Sequence, residues 1–285
     1  MRTSQRAPRV GLQPRSGRVP SPIGGQSILS WVEEQLDRCR PIALRYFRST
    51  HLRIERKPDR SPVTAADRAI EEQLRRALQR AFPGESILGE EFGYSGRSRE
   101  SYWTIDPIDG TRAFSRGLPS WGILIGRVER GRATVGVCDF PVLGTRVAVA
   151  QGVPAYERTG NRTTRLPRAR PARQLAEAVV FHGGSSWWLG SRYRTGFARL
   201  VKRCYLERAY GDCYGYLWVL RGRADAMIDY GVKPWDLVPF AALAQTTGRV
   251  LTDFSNHPSF SGPETVMAHP ALARIIVQTL RKGVE

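Results

Sequence analysis

The sequence predicts a mixed α/β protein in two halves. Apolar residues recur near the helical period just after residue 27, and three apolar strands follow one another between residues 121 and 150. Strands then alternate with helical segments. We therefore expect an N-terminal half, residues 26–165, with helices on a largely antiparallel sheet, and a C-terminal α/β half, residues 166–285. Residues 1–25 are basic, contain no acidic residue and are rich in Pro, Gly and Ser, which predicts a disordered tail.

Composition excludes several classes of protein. With 285 residues, 41% of them hydrophobic, the chain can bury a large core. No apolar run reaches the roughly 18 residues that span a membrane, and the N-terminus lacks the apolar region of a secretory signal, so we expect a cytoplasmic protein. The four cysteines form no C-x-x-C pair and the four histidines are far apart in the sequence. Neither structural zinc nor a disulfide framework is expected.

The net charge of +18 raises the possibility of nucleic-acid binding. Only four of the 44 basic residues are lysine, and this near-complete use of arginine indicates a coding bias rather than a designed binding surface. A basic field also attracts anionic small substrates. We therefore expect a small anionic substrate and no nucleic-acid partner.

Two helices and a short strand open the N-terminal half. The first helix begins near Ser27 and carries a kink or boundary at Pro41; the second follows Thr64 and stops at Pro83-Gly84. Asp67, in the first turn of the second helix, either stabilises the helix dipole or belongs to a site. The strand at Ile87-Leu88 leads into Gly89-Glu90-Glu91. Adjacent side chains at a strand end point in different directions, so at most one of the two glutamates reaches a metal pocket. A solvated loop that holds both is the alternative.

The stretch from Trp103 to Thr111, with the sequence WTIDPIDGT, carries the strongest chemical signal. Pro107 cannot donate to a β-ladder, so we expect the chain to leave its sheet there. Asp106 and Asp109 can then face one pocket, where a cation would neutralise them, and hard oxygen ligands favour Mg²⁺ or Ca²⁺. Gly110 permits close backbone approach to an anion, and Thr111 adds a hydroxyl. A capped Asx turn is the alternative interpretation.

The remaining segments complete the two halves. A turn at 129–131 joins the first two of the three central strands, and the polar residues 159–173 are interpreted as a junction. In the C-terminal half we predict strands at 178–181, 205–208, 224–228 and 249–251, and helices at 189–202, 213–220 and 237–247. Asp236, at the start of the last of these helices, either caps it or binds a cation.

Four motifs in this order resemble those of the inositol monophosphatase family of magnesium-dependent phosphatases. They are Val63-Thr-Ala-Ala-Asp67, Gly89-Glu90-Glu91, Asp106-Pro-Ile-Asp-Gly-Thr111 and Trp235-Asp236, with Gly248 closing the helix that follows. The resemblance covers nearly everything after residue 25. It implies a layered αβαβα sandwich, Mg²⁺ as cofactor and a homodimer.

The same resemblance implies roles for individual residues. The metal ligands would be Glu90, Asp106, the Ile108 carbonyl oxygen, Asp109 and Asp236, with Asp106 bridging two ions. The attacking water would lie beside Asp67 and be oriented by Thr111 and Glu90, and the N–H groups of Gly110 and Thr111 would hold phosphate oxygens. Hydrolysis would need no covalent enzyme intermediate.

The flanks of the motifs favour the histidinol-phosphatase branch of the family. Arg112-Ala-Phe114 stands where inositol-specific members typically have Thr-Asn-Phe. Histidinol phosphate carries an ammonium and an imidazole group, so Asp212 and Asp229 are candidates for binding these groups, unless they are solvated or capping residues. Arg112 either contacts phosphate or pairs with a carboxylate, and His182–Ser186 forms either a substrate-side loop or a tight turn. Inositol 1-phosphate, fructose bisphosphate or a phosphoadenosine nucleotide are alternative substrates, and a non-catalytic basic binding protein is the remote alternative.

Overall fold

A computed structural model describes residues 24–49, 54–56, 62–171 and 174–282. Most of the tail predicted for residues 1–25 lies outside these residues. The helices are α1 (Gly25–Tyr46), α2 (Ala65–Ala81), α3 (Thr111–Ser115), α4 (Ser185–Leu189), α5 (Arg194–Arg203), α6 (Asp212–Leu220), α7 (Pro234–Thr246) and α8 (Pro270–Arg281). None of these helices is long and apolar enough to cross a membrane.

The strands form two principal sheets and one short pair. They are β1 (Ile54–Arg56), β2 (Pro62–Thr64), β3 (Ser86–Gly89), β4 (Gly93–Ser95), β5 (Tyr102–Asp109), β6 (Gly122–Glu129), β7 (Arg132–Phe140), β8 (Thr145–Ala150), β9 (Val153–Thr159), β10 (Arg162–Arg165), β11 (Val179–His182), β12 (Leu206–Arg208), β13 (Ala226–Tyr230), β14 (Val250–Thr252) and β15 (Glu264–Ala268). The larger sheet has the order β10-β9-β8-β7-β6-β5-β3-β4, and only its β3–β5 pair is parallel. The smaller sheet has the order β12-β11-β13-β15-β14. Strand β11 runs parallel to both of its neighbours.

The layers alternate as the resemblance implies. Helices α1 and α2 pack on one face of the larger sheet, and α7 packs on the other face. Helices α6 and α7 also contact the smaller sheet, whose outer face is covered by α5 and α8. The αβαβα sandwich is therefore confirmed. Three clusters of buried apolar side chains fill it: one lies between α1, α2 and the larger sheet, one lies on both sides of α6 and α7, and one lies between the smaller sheet and α5 and α8.

Helix α7 lies unusually close to the larger sheet because the facing strands carry glycine. A methyl group placed on Gly136 would lie 2.2 Å from the Pro239 carbonyl oxygen, and one on Gly126 would lie 2.6 Å from Cγ1 of Val238. The helix is apolar on almost its whole circumference, as expected for an element between two sheets. This close packing holds the N-terminus of α7, with Asp236, at the candidate active site described below.

Replacing Gly136 with Ala should therefore destabilise the protein by roughly 2–3 kcal/mol, because the clash is with backbone and cannot be relieved by a rotamer change. Denaturant unfolding would measure the loss. Gly190→Ala is the matched control, since Gly190 has an ordinary φ of −82° and its nearest non-neighbour atom would be 3.4 Å from the new methyl group. Equal stabilities of the two variants would contradict this account of the α7 packing.

Three local predictions need correction. The chain does not leave the sheet at Pro107, because β5 continues to Asp109. The pairing of β5 with β6 shifts register between Asp106 and Asp109, so Pro107 lies in a bulge where its missing N–H removes no ladder hydrogen bond. The bulge therefore lies between the two aspartates.

The segment interpreted as a polar junction, residues 159–173, begins with a hairpin instead. Strand β10 pairs antiparallel with the end of β9, and all four of its residues are exposed. A solvated edge strand has no apolar alternation, which is why its sequence resembles a loop, and its arginines discourage pairing with another chain. The division of the chain at residue 165 stays a prediction.

The predicted helix at 189–202 begins only at Arg194, where α5 starts, and Leu189 is instead the last residue of a separate helix, α4. Ser191 interrupts them: its hydroxyl donates to the Trp188 carbonyl at 2.9 Å and accepts the Tyr193 N–H at 3.1 Å. Such local side-chain bonds compete with a continuous helix. The interruption lets Trp188 turn inward and stack on Phe197.

Candidate active site

The acidic residues meet at one edge of the larger sheet. Strands β3 and β5 are parallel, so their carboxyl ends lie side by side, and Glu90 follows β3 with its N–H bonded to the Ile105 carbonyl at 3.1 Å. Asp106 and Asp109 lie at the end of β5, and the N-terminus of α7 brings Asp236 to the same place. One ligand oxygen from each of these three aspartates lies within 4.8 Å of the others.

These carboxylates repel one another, and their pKa values reflect it. Burial is the main cause that raises the pKa of Asp236 to about 7, and the negative charges of Glu90 and Asp212 raise it further. Burial, followed by the charges of Glu90, Asp109 and Asp236, holds the pKa of Asp106 well above its usual range. A cluster of this kind keeps all its charges at neutral pH only if a cation binds there.

Backbone donors hold each aspartate in place. The Ile108 N–H donates to Asp106 Oδ1 at 3.0 Å, the Lys233 N–H donates to Asp236 Oδ2 at 2.7 Å, and the Cys213 N–H donates to Asp109 Oδ2. Each side chain thus has a second oxygen with which to contact a cation. An all-oxygen set of buried and half-buried carboxylates fits a hard divalent cation.

Asp67 is a buried carboxylate beside this cluster. The Thr64 N–H and hydroxyl both donate to its Oδ2, at 2.8 and 2.5 Å, while Oδ1 lies 3.4 Å from the Thr111 hydroxyl. The same hydroxyl donates to the Ile108 carbonyl at 2.9 Å. Burial raises the pKa of Asp67 to about 6, the Thr64 hydrogen bonds oppose this rise, and the Glu90 charge adds to it. A carboxylate with such a pKa can accept a proton near neutral pH.

Gly110 connects the cluster to a second acidic region. Its φ of +87° and the 2.9 Å that would separate an added methyl group from the Ser120 carbonyl oxygen leave no room for another residue. The same methyl group would be 3.3 Å from Oδ2 of Asp212, which begins α6. Arg112 is exposed on α3, and its positive charge lowers the pKa of Asp212 against the larger, raising effect of desolvation.

Asp229 forms the far side of this region. It lies at the end of β13, is 7% exposed, and accepts the Tyr230 N–H through Oδ1 at 2.8 Å. A methyl group on Gly183 would be 2.2 Å from that oxygen, so the β11 end packs directly on the carboxylate. Burial, and secondarily the Asp212 charge, raise the pKa of Asp229 well above its usual range.

The sequence interpretation missed several supporting residues. Glu71 is fully buried on α2, accepts the Glu91 N–H at 2.7 Å and the Phe92 N–H at 3.2 Å, and pairs with Arg75 at 2.7 Å. It therefore anchors the loop that carries Glu90. An acid one turn after Asp67, next to the apolar stripe of the helix, was the available signal. The Cys213 and Lys233 N–H donors leave no signal in residue type.

The comparisons with known proteins agree with this arrangement. The sequence profile of the inositol monophosphatase family matches residues 26–285. The chain belongs to the inositol monophosphatase family. Its members are phosphatases, hydrolases of phosphate monoesters that depend on metal, and the acidic cluster of this chain fits that dependence. This inositol monophosphatase-family chain is accordingly a phosphatase.

Named relatives and solved structures show how far the similarity extends. The histidinol-phosphatase of Mycobacterium tuberculosis is 35% identical over 87% of this chain and 95% of its own length. The fructose-1,6-bisphosphatase/inositol-1-monophosphatase of Aquifex aeolicus is 27% identical over 81% of this chain and 86% of its own length. The IMPase structure from Thermotoga maritima, 25% identical, superposes with a TM-score of 0.78 over 90% of this chain and 98% of its own.

Proposed function

We propose that this phosphatase is Mg²⁺-dependent and hydrolyses histidinol phosphate, as part of histidine biosynthesis. The observation that carries this proposal is the pair of carboxylates, Asp212 and Asp229, that lies next to the three-aspartate cluster. A substrate with an ammonium and an imidazole would pair with them, whereas a neutral polyol would leave them without a counter-charge. Relatives named histidinol-phosphatase, at 30–35% identity, support the same choice.

The proposed metal ligands are those that the family resemblance implies. They are Glu90, Asp106, the Ile108 carbonyl oxygen, Asp109 and Asp236. A divalent cation held by them would supply positive charge to the phosphoryl oxygens and would acidify water. Mg²⁺ is the proposed ion because all of these ligands are hard oxygens.

The other site residues act on water and phosphate. Asp67 Oδ1, which does not bind the two Thr64 donors and lies 3.4 Å from the Thr111 hydroxyl, takes the proton of the attacking water, which Thr111 and Glu90 orient. The N–H groups of Gly110 and Thr111 bind phosphate oxygens, and the positive ends of α2 and α7 favour the anion. Arg112 adds a cation on the solvent side of the phosphate.

A substrate panel tests the proposal. With Mg²⁺ present, kcat/KM for histidinol phosphate should exceed that for inositol 1-phosphate by roughly 10- to 100-fold, since an uncharged organic group would leave the buried Asp229 carboxylate without a counter-charge, at a cost of about 1–3 kcal/mol. The rate of phosphate release from each ester would give the two kcat/KM values. The reverse ranking would make inositol 1-phosphate the preferred substrate, and the relatives named inositol-1-monophosphatase support that alternative.

The homodimer and the cytoplasmic location stay predictions. Light scattering of the purified chain would show its oligomeric state.

A further inference from the structure

Trp187 is exposed to solvent, which is unusual for a tryptophan. All seven tryptophans of the chain lie in the described residues, and it alone is strongly exposed, with 53% of its surface accessible. Its neighbour Trp188 is fully buried and stacks on Phe197, with ring centroids 4.8 Å apart. Trp188 therefore anchors the short helix α4 and holds Trp187 outward in a fixed position.

The indole of Trp187 lies against two segments, one that carries Asp229 and one that contacts its carboxylate. A methyl group on Gly184 would be 3.2 Å from indole Cδ1, and a methyl group on Gly231 would be 3.9 Å from Cε3 and Cζ3. Gly231 follows Asp229 by two residues, and Gly183, which precedes Gly184, contacts the Asp229 carboxylate. Strands β11 and β13 are parallel, so both segments leave the smaller sheet at the same edge.

The arginine and aromatic side chains of the described residues leave the exposed face of the indole uncovered. Guanidinium groups lie over several other rings, such as that of Arg221 over Trp218 at 4.8 Å. Within the described part of the chain, neither a guanidinium group nor another ring stacks on Trp187. In a chain so rich in arginine, an uncovered indole beside an acidic recess is available to a cation from outside.

We propose that Trp187 is a specificity residue that forms an aromatic wall of the organic-group subsite, where its indole and the Asp229 carboxylate together bind a cationic group of the substrate. The ligand class is a phosphate ester with an ammonium or imidazolium group a few bonds from the phosphate. Asp229 suits this role because no described basic side chain forms an ion pair with it. Asp212, which has Arg112 nearby, stands between this subsite and the metal cluster. The inference rests on the proposed function for its choice of substrate.

Kinetics of Trp187 variants test the wall. With Mg²⁺, Trp187→Ala should lower kcat/KM for histidinol phosphate by roughly 5- to 30-fold, chiefly through KM, because a desolvated cation–π contact contributes about 1–2 kcal/mol. Trp187→Phe should recover part of the loss. Hydrolysis of glycerol 2-phosphate, whose organic group is uncharged, should not change in either variant. Leu189→Ala is the matched control, since Leu189 is 64% exposed on the same helix.

A second measurement separates this inference from the proposed function. Histidinol itself should inhibit glycerol 2-phosphate hydrolysis by the wild type and inhibit Trp187→Ala much more weakly. If histidinol phosphate is a poor substrate but histidinol still inhibits Trp187→Ala more weakly than the wild type, the proposed function is wrong and the proposed aromatic wall is supported. If histidinol phosphate is hydrolysed equally well by wild type and Trp187→Ala, the wall fails and the function stands.

Two further results would overturn the wall. One is an equal loss in Trp187→Ala and Leu189→Ala. The other is dissociation of a wild-type dimer in Trp187→Ala, seen by light scattering, which would make the exposed indole a subunit contact.

Discussion

Asp109→Asn should lower kcat by at least about 1,000-fold in the presence of Mg²⁺, because it removes one anionic ligand from the three-aspartate cluster. The amide oxygen can still accept the Cys213 N–H, so the backbone geometry is retained. Phosphate release from histidinol phosphate, or from whichever ester proves best, would measure the loss. Unchanged turnover would refute the assigned metal site.

A stability measurement separates this effect from misfolding. In a chelator, Asp109→Asn should be at least as stable as the wild type, because the neighbouring carboxylates lose a like charge. Added Mg²⁺ should stabilise the wild type but not the variant. Asp37→Asn, on an exposed face of α1, is the control and should change neither turnover nor the Mg²⁺ response. A strongly destabilised Asp109→Asn would instead indicate a structural role.

Asp67→Asn should lower kcat by roughly 10²- to 10⁴-fold, and it should also change how stability depends on pH. In the metal-free protein the pKa of Asp67 is about 6, above the value near 3.9 of an unfolded chain. Between these values the folded state binds more protons, so the wild type loses stability as the pH rises. This loss is about 3 kcal/mol and is complete above pH 6, since one pKa unit corresponds to about 1.4 kcal/mol.

Because the variant has no titrating group at this position, its stability relative to the wild type should increase from pH 4 to pH 7. Denaturant unfolding of both proteins at pH 4 and pH 7, in the presence of a metal chelator, would measure the change. A constant difference between the two proteins would show that Asp67 titrates normally and would remove it as the proton acceptor.

Much of the architecture could be predicted because its signals are local. The hairpin from β6 to β7 was expected from its Glu-Arg-Gly turn, and the structure places Arg130 and Gly131 at positive φ there. Strand β8 ends at Ala150, where the last of the three apolar strands was predicted to end. Strand β10 and the break between α4 and α5 were missed because an exposed edge strand lacks apolar alternation and a single serine can end a helix through its own hydrogen bonds.

The sequence by itself determined the chemistry at each corner of the site: two aspartates, a glycine and a threonine within six residues, and acids at the starts of α2 and α7. Only the tertiary structure decided which of them meet. Asp236 reaches Asp106 across 130 positions because glycines in β6 and β7 let α7 lie against the sheet. Trp187 lies against Gly184 and Gly231, in the two segments next to the Asp229 carboxylate, because Trp188 is buried and β11 is parallel to β13. Residue spacing sets geometry over one turn or one strand, whereas the packing of layers sets every longer distance.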